Sequence, residues 1–156
     1  MAQGAALLRL VTSFRGVPAL QRAVNAAFAP ALRGTPDGSQ AEYAPLAPSR
    51  EDVPGQPALV ALPVPRPYGR YGTVVDFAVD ASLPDAVGAF VDWLVQKSGW
   101  QVSERGGNGL VPVAPRHVCI LFRRFRSFRT DVTRGYVRAL EVRGVPHVLV
   151  GGRSFH

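Results

Sequence analysis

Three stretches of the chain repeat their apolar positions at helical spacing. Val17, Leu20, Val24 and Phe28 fall at i, i+3, i+7 and i+11, with Pro18 in the opening turn and Pro30 as the stop. Val87, Phe90, Val91, Leu94 and Val95 fall at i, i+3, i+4, i+7 and i+8, the most regular amphipathic face in the sequence. Ser82 and Asp85 form a capping box before that face, with Pro84 in the first turn, and Ser98-Gly99 closes it. The third face is Val132, Tyr136, Val137 and Leu140, capped by Thr130 or Asp131 and ended by Gly144.

Between the helices lie short apolar runs of strand length. Ala58 to Val64 is bounded by prolines and predicts a buried strand, and Thr73 to Val79 alternates enough for a second. His117 to Phe122 is continuously apolar and predicts the central strand, with Cys119 as an inert thiol in its core. His147 to Val150 predicts a further strand, and residues 7–14 fit either a strand or the lead into the first helix. Residues 29–56, rich in Pro, Gly, Ser and Asp without a period, read as a linker or long loop. The order strand, helix, strand, helix, strand implies right-handed βαβ units, a parallel sheet with flanking helices, and the α/β class.

Composition narrows the function classes. The 156 residues are 47% apolar and 19% charged, too hydrophobic to be disordered. One cysteine excludes a disulfide framework and a cysteine-based zinc site. No apolar stretch approaches the roughly 20 residues needed to span a bilayer, so no membrane partner is expected. Lys97 is the only lysine; the other 17 basic residues are arginine. Residues 116–156 hold nine arginines against Asp131 and Glu141, so the whole net charge of +7 sits there. Such a block attracts phosphate, although arginine replacing lysine on an ordinary solvated surface gives the same count. Residues 1–36 carry four arginines and no acid, the composition of a mitochondrial transit peptide, which makes that an alternative address for the chain.

Two segments together resemble the UvrD/Rep/RecB-type superfamily 1 DNA helicases. Leu8 to Phe28 is similar to the segment that ends the family's first RecA-like domain; Arg15 and Asn25 keep their places, but Ser13-Phe14-Arg15-Gly16 replaces the Asn and Tyr of the family pattern. Residues 117–156 are similar to the opening of the second RecA-like domain. There Ile120-Leu121-Phe122-Arg123 falls on motif IV, and Val137, Leu140, Gly144, Pro146, and Gly151-Gly152 with Phe155 fall on the family's helix, turn and next conserved-type element. The closest texture is that of RecB-like helicase–nuclease proteins.

The resemblance implies an incomplete RecA-like fold, P-loop NTPase-like but without the P-loop. Residues 1–50 would be the end of the first motor domain plus linker, and residues 51–156 the N-terminal part of the second. It assigns ATP binding to Phe122, which would pack on adenine, and Arg123, which would reach the γ-phosphate. It assigns single-stranded DNA binding to Gly151, Gly152, Arg153, Ser154 and Phe155. The implied whole is a cytoplasmic bacterial, ATP- and Mg²⁺-dependent DNA helicase or exonuclease of repair and recombination, partnered by single-stranded DNA and by the remaining helicase domains.

This chain alone lacks GxxxxGK[ST], so it is expected to carry no catalytic residue, metal ligand or cofactor of its own and not to hydrolyse ATP. Phenylalanines at 122, 125 and 128 interleaved with arginines make a second candidate nucleic-acid patch. His117, His147 and His156 show no metal spacing, and packing is the default for Trp93 and Trp100. The competing readings are a stand-alone basic nucleic-acid-binding module and a truncated product without function.

Overall fold

The computed structural model describes residues 10–63, 75–104, 106–107, 109–127 and 130–150. The chain divides into two compact units, Met1–Ala61 and Leu62–His156. It is mixed α/β, and its described sheets are three two-stranded pairs, one parallel and two antiparallel.

In the first unit, strand β1 (Thr12–Ser13) precedes helix α1 (Pro18–Phe28), and β2 (Ala47–Pro48) returns to pair parallel with β1. Val17 stands at the N-cap with no side-chain bond to give. The cap comes instead from Asp52, whose carboxylate accepts the Ala19 N–H at 3.0 Å and faces Arg22 at 3.7 Å. A carboxylate there also suits the positive end of the helix dipole.

The linker is not featureless. Tyr43 stacks on Phe28 at 6.1 Å between ring centroids, and Asn25 of α1 gathers Gln21, Tyr43 and Leu46 around its side-chain amide. That amide fixes the returning chain so that β2 meets β1.

The second unit is built on helices α2 (Asp76–Gln96) and α3 (Thr133–Glu141), which pack on each other. Two of the predicted apolar faces meet in the core: Val91 of α2 and Leu140 of α3 are buried together with Val145, and Val87, Val95, Val118 and Ile120 pack against them. Asp131 serves the start of α3, accepting from the Thr133 N–H at 2.9 Å and hydroxyl at 2.7 Å. Gly144 follows α3 in the left-handed region (φ 65°), as expected of a helix-ending glycine. Arg143 then reaches back, donating to the Ala139 carbonyl and to Asp85 of α2 at 2.6 Å. Trp93 and Trp100 meet edge to face at 5.5 Å, the packing role expected of them.

Antiparallel β3 (Gln101–Ser103) and β4 (Leu110–Pro112) form a hairpin beyond α2, followed by a 3₁₀ turn at Pro115–His117. Strands β5 (Arg126–Ser127) and β6 (Thr130–Asp131) make the last pair.

Four strand expectations are corrected. Residues 58–63 join no ladder and expose Leu59, Val60 and Leu62, because flanking prolines remove donors and no partner strand lies beside them among the described residues. The described part of 73–79 is the start of α2, not a strand, and α2 runs through Pro84. Ser82 is therefore no cap: its hydroxyl donates to the Val79 carbonyl one turn back. Residues 118–122 and 147–150 lie in no sheet, so a parallel sheet centred on 117–122 is not among the described elements. With only one side of 118–122 covered, Cys119 is exposed rather than buried. None of the described helices is long and apolar enough to cross a membrane.

Candidate functional site

The second unit contains an open cavity of about 730 Å³ lined by one side of α3 and by residues 118–122 and 145–150. The described lining is mainly aliphatic and aromatic and includes Arg116 and His147; none of the described lining residues is acidic. Phe122 lines it, half-buried, with its ring edge-to-face against Tyr136 of α3 at 4.9 Å and tilted against Phe125 at 6.2 Å. Burial, with the Asp80 carboxylate adding to it, raises the Tyr136 phenol above its ordinary value, so this ring is neutral at physiological pH.

Arg123 follows Phe122, is exposed and is not among the described residues that line the cavity. The structure thus places the two residues of the motif IV resemblance side by side in different environments, one in an aromatic cluster and one in solvent. Gly151, Gly152, Arg153, Ser154 and Phe155 lie outside the described residues, as do Phe128 and Arg129 of the interleaved patch. Arg15 is exposed in the first unit.

In sequence, the stretch 123–138 that joins Phe122 to α3 holds six arginines against one acid, Asp131. Arg123, Arg124, Arg126, Arg134 and Arg138 are all exposed, and none makes an ion pair within 4 Å among the described residues. Arg134 and Arg138 share one face of α3 by their i, i+4 spacing. Asp131 lies opposite Arg126 in the β5–β6 register; its carboxyl is held below the usual aspartate range, first by the Thr133 hydrogen bonds and then by Arg134 and Arg126.

One cluster escaped sequence reading. Across the β3–β4 hairpin, Oε1 of Glu104 accepts from Arg116 at 2.8 and 3.0 Å and from Nε2 of His117 at 2.7 Å. Nδ1 of His117 accepts the Ala114 N–H at 3.1 Å. A backbone N–H can only donate, so the proton of this imidazole sits on Nε2, and both nitrogens are engaged. The cluster is a hairpin lock rather than an acid–base pair. Its only signal is that Glu104 is the single acid between Asp92 and Asp131, and sequence separation hides which base it meets.

His117 first and Arg116 second hold the Glu104 carboxyl below its ordinary value of 4.5. A carboxyl depressed by folding adds stability that is complete above the unfolded value and is lost as pH falls through the folded one. Glu104→Gln is therefore expected to flatten the loss of stability below pH 4.5, seen as a smaller drop in Tm between pH 6 and pH 3. Asp131 and Asp37 (held down to about 2 by hydrogen bonds from Thr35 and Ser39) keep a residual acid slope in that variant. An unchanged slope in Glu104→Gln would remove the lock from the account.

Among the described residues no three His, Cys, Asp or Glu side chains converge on a metal-binding point. The chain matches no protein-family model, no curated protein and no solved structure.

Proposed function

We propose that the chain is a piece of an ATP-dependent DNA helicase of the UvrD/Rep/RecB type, and that what it contributes by itself is a hold on single-stranded DNA. The observation that carries the reading is the exposed run Arg123, Arg124 and Arg126, next to Phe122 and Phe125 in sequence, together with exposed Arg134 and Arg138 on α3; none of the five makes an ion pair within 4 Å among the described residues. Guanidinium groups take the phosphates, and the rings accept bases without regard to sequence. The motif IV resemblance of Ile120 to Arg123 gives that surface its place in a RecA-like motor, and Gly151 to Phe155 would extend the DNA track.

ATP and Mg²⁺ belong in this reading to the intact parent, and this chain alone is expected to bind neither. None of the described residues lining the cavity beside Phe122 is acidic, and Lys97 stands exposed at the C-cap of α2, in no phosphate loop. Phosphoryl transfer needs metal-holding acids and a cation on the phosphates, which the rest of the parent would supply.

The test is fluorescence polarisation with a labelled oligothymidine of about twenty nucleotides across a salt series, with ATP hydrolysis assayed in parallel. Binding is expected to weaken linearly in log salt, and the Arg134→Ala/Arg138→Ala double variant to lower the slope by about 1.4, roughly 0.7 per lost phosphate contact. No magnesium-dependent turnover is expected. Absence of binding at low salt would end the reading. Equal competition by duplex DNA would favour a generic basic module over a helicase piece.

A further inference from the structure

In the first unit, residues 35–40 form the tip of a hairpin. Its frame is the antiparallel bridge between Arg33 and Glu42, with the Tyr43 N–H donating to the Leu32 carbonyl at 2.9 Å and the Thr35 N–H to the Gln40 carbonyl at 3.1 Å. Residues 35–40 are all exposed. Of the seven aspartates in the chain, Asp37 is the one followed by glycine; the others precede Val, Phe, Ala or Trp. Glycine has no Cβ to shield its backbone nitrogen, and a Cβ built on Gly38 would meet nothing within 4 Å. No steric barrier therefore separates that nitrogen from the Cγ of Asp37.

Attack by the Gly38 nitrogen on Cγ forms an N–C bond. The carboxyl hydroxyl leaves as water with the amide proton, and a five-membered succinimide remains. Water then opens the ring. Opening at Cγ restores aspartate; opening at the other carbonyl carries the chain through Cβ as isoaspartate, with no change in mass. Closure needs a protonated carboxyl, because a carboxylate would have to expel oxide, and it needs an amide hydrogen free to leave. The tip opposes both. Oδ1 of Asp37 accepts the Ser39 N–H at 3.1 Å and the Ser39 hydroxyl at 2.8 Å, and Thr35 Oγ1 lies 3.0 Å from Ser39 Oγ. The Gly38 N–H is spent on the Thr35 carbonyl at 3.0 Å. Hydrogen bonds from Thr35 first and Ser39 next hold the carboxyl down from 3.8 to about 2, which cuts its protonated fraction at neutral pH on the order of fiftyfold.

We propose that Asp37-Gly38 is a site of spontaneous covalent modification, at which the chain converts itself to isoaspartate at a rate set by the clasp of Thr35 and Ser39. The reaction proceeds when the exposed tip opens and the clasp lets go. Its product lengthens the backbone between Thr35 and Gln40 by one bond, so the pairing of Arg33 with Glu42 loses its register. Water is the only co-reactant, and the inference does not rest on the helicase reading.

The experiment incubates the full chain at neutral pH beside the capped peptide of residues 34–50, the tryptic fragment that lies between Arg33 and Arg50. Isoaspartate in that fragment is resolved from aspartate by chromatography and located by electron-transfer fragmentation. The peptide, which lacks the folded clasp, is expected to isomerise at Asp37 about tenfold faster than the full chain or more, and Ser39→Ala in the full chain to recover most of that difference. Asp37→Glu, which cannot close a five-membered ring, is expected to give no product of unchanged mass in this fragment. Equal rates in peptide and full chain, or an unchanged rate in Ser39→Ala, would overturn the clasp. Absence of isoaspartate from the peptide, or its persistence in Asp37→Glu, would overturn the site.

Discussion

Replacing Gly88 by valine is expected to lower the stability of the second unit by about 3 kcal/mol, the upper range for forcing volume into a packed contact. Gly88 is buried in α2 where it crosses α3, and a Cβ built there would lie 2.9 Å from the Ala139 Cβ and 3.0 Å from the Ala139 carbonyl oxygen. That carbonyl is not free to move aside, because it accepts from Arg143, which is itself tied to Asp85. The smaller change Gly88→Ala sets two effects against each other. Helix propensity favours alanine by about 1 kcal/mol, while the clash with backbone atoms opposes it. Since two of the three nearest atoms are backbone, packing is expected to win and Gly88→Ala to be mildly destabilising. Gly135→Ala meets only the Pro84 ring, at 3.0 Å, and should cost less. Urea unfolding followed by the fluorescence of Trp93 and Trp100, both in this unit, reads each variant. A midpoint for Gly88→Val at or above that of the parent chain would show that the two helices do not meet as described.

The helix faces were legible because each is a local, periodic property. Val91 and Leu140 stood on the predicted apolar stripes and form the core together. The start of α2 was not legible, because a Ser-x-x-Asp signature with Pro84 describes a cap equally well as a mid-helix turn. What decides is the upstream segment from Asp76, which is helical here. The run 117–122 shows the limit more sharply. Its apolar side chains suit an extended chain, and the chain there does alternate in burial. Whether that segment is a strand depends on a partner, and pairing is a property of tertiary context that no window of sequence contains. The same holds at the candidate site: Phe122 was visible as an aromatic beside an arginine, but its neighbour Tyr136 comes from another element, and Glu104 meets His117 only because a hairpin folds between them.

In the first unit the largest effect is expected from Asn25. Its Oδ1 accepts from the Tyr43 hydroxyl at 2.8 Å and from Gln21 Nε2 and the Leu46 N–H at 3.2 Å each. Its Nδ2 donates to the Leu46 carbonyl at 3.1 Å. Asn25→Ala removes the common partner of four polar groups at once, and Gln21, Tyr43 and Leu46 are all at least half-buried. Unpaired groups of this kind cost about 1–3 kcal/mol each when sealed from water, and partial access to solvent brings the expected total to about 2 kcal/mol. The loss has a direction. Leu46 precedes β2, whose Ala47 N–H donates to the Val11 carbonyl at 2.7 Å and whose neighbour Ser49 donates to the Ser13 carbonyl at 3.1 Å. Releasing Leu46 therefore frees β2 from β1, while α1 keeps its own backbone bonds and its Asp52 cap. Faster amide exchange at Leu46, Ala47 and Ser49, with α1 little changed, is the expected pattern in Asn25→Ala. Asn25→Asp separates the two arms of the amide: the acceptor side survives, and the Leu46 carbonyl faces a carboxylate instead of a donor, so the release of β2 should persist. Uniform acceleration through α1 as well would mean that Asn25 holds the helix itself, and that the linker follows it passively.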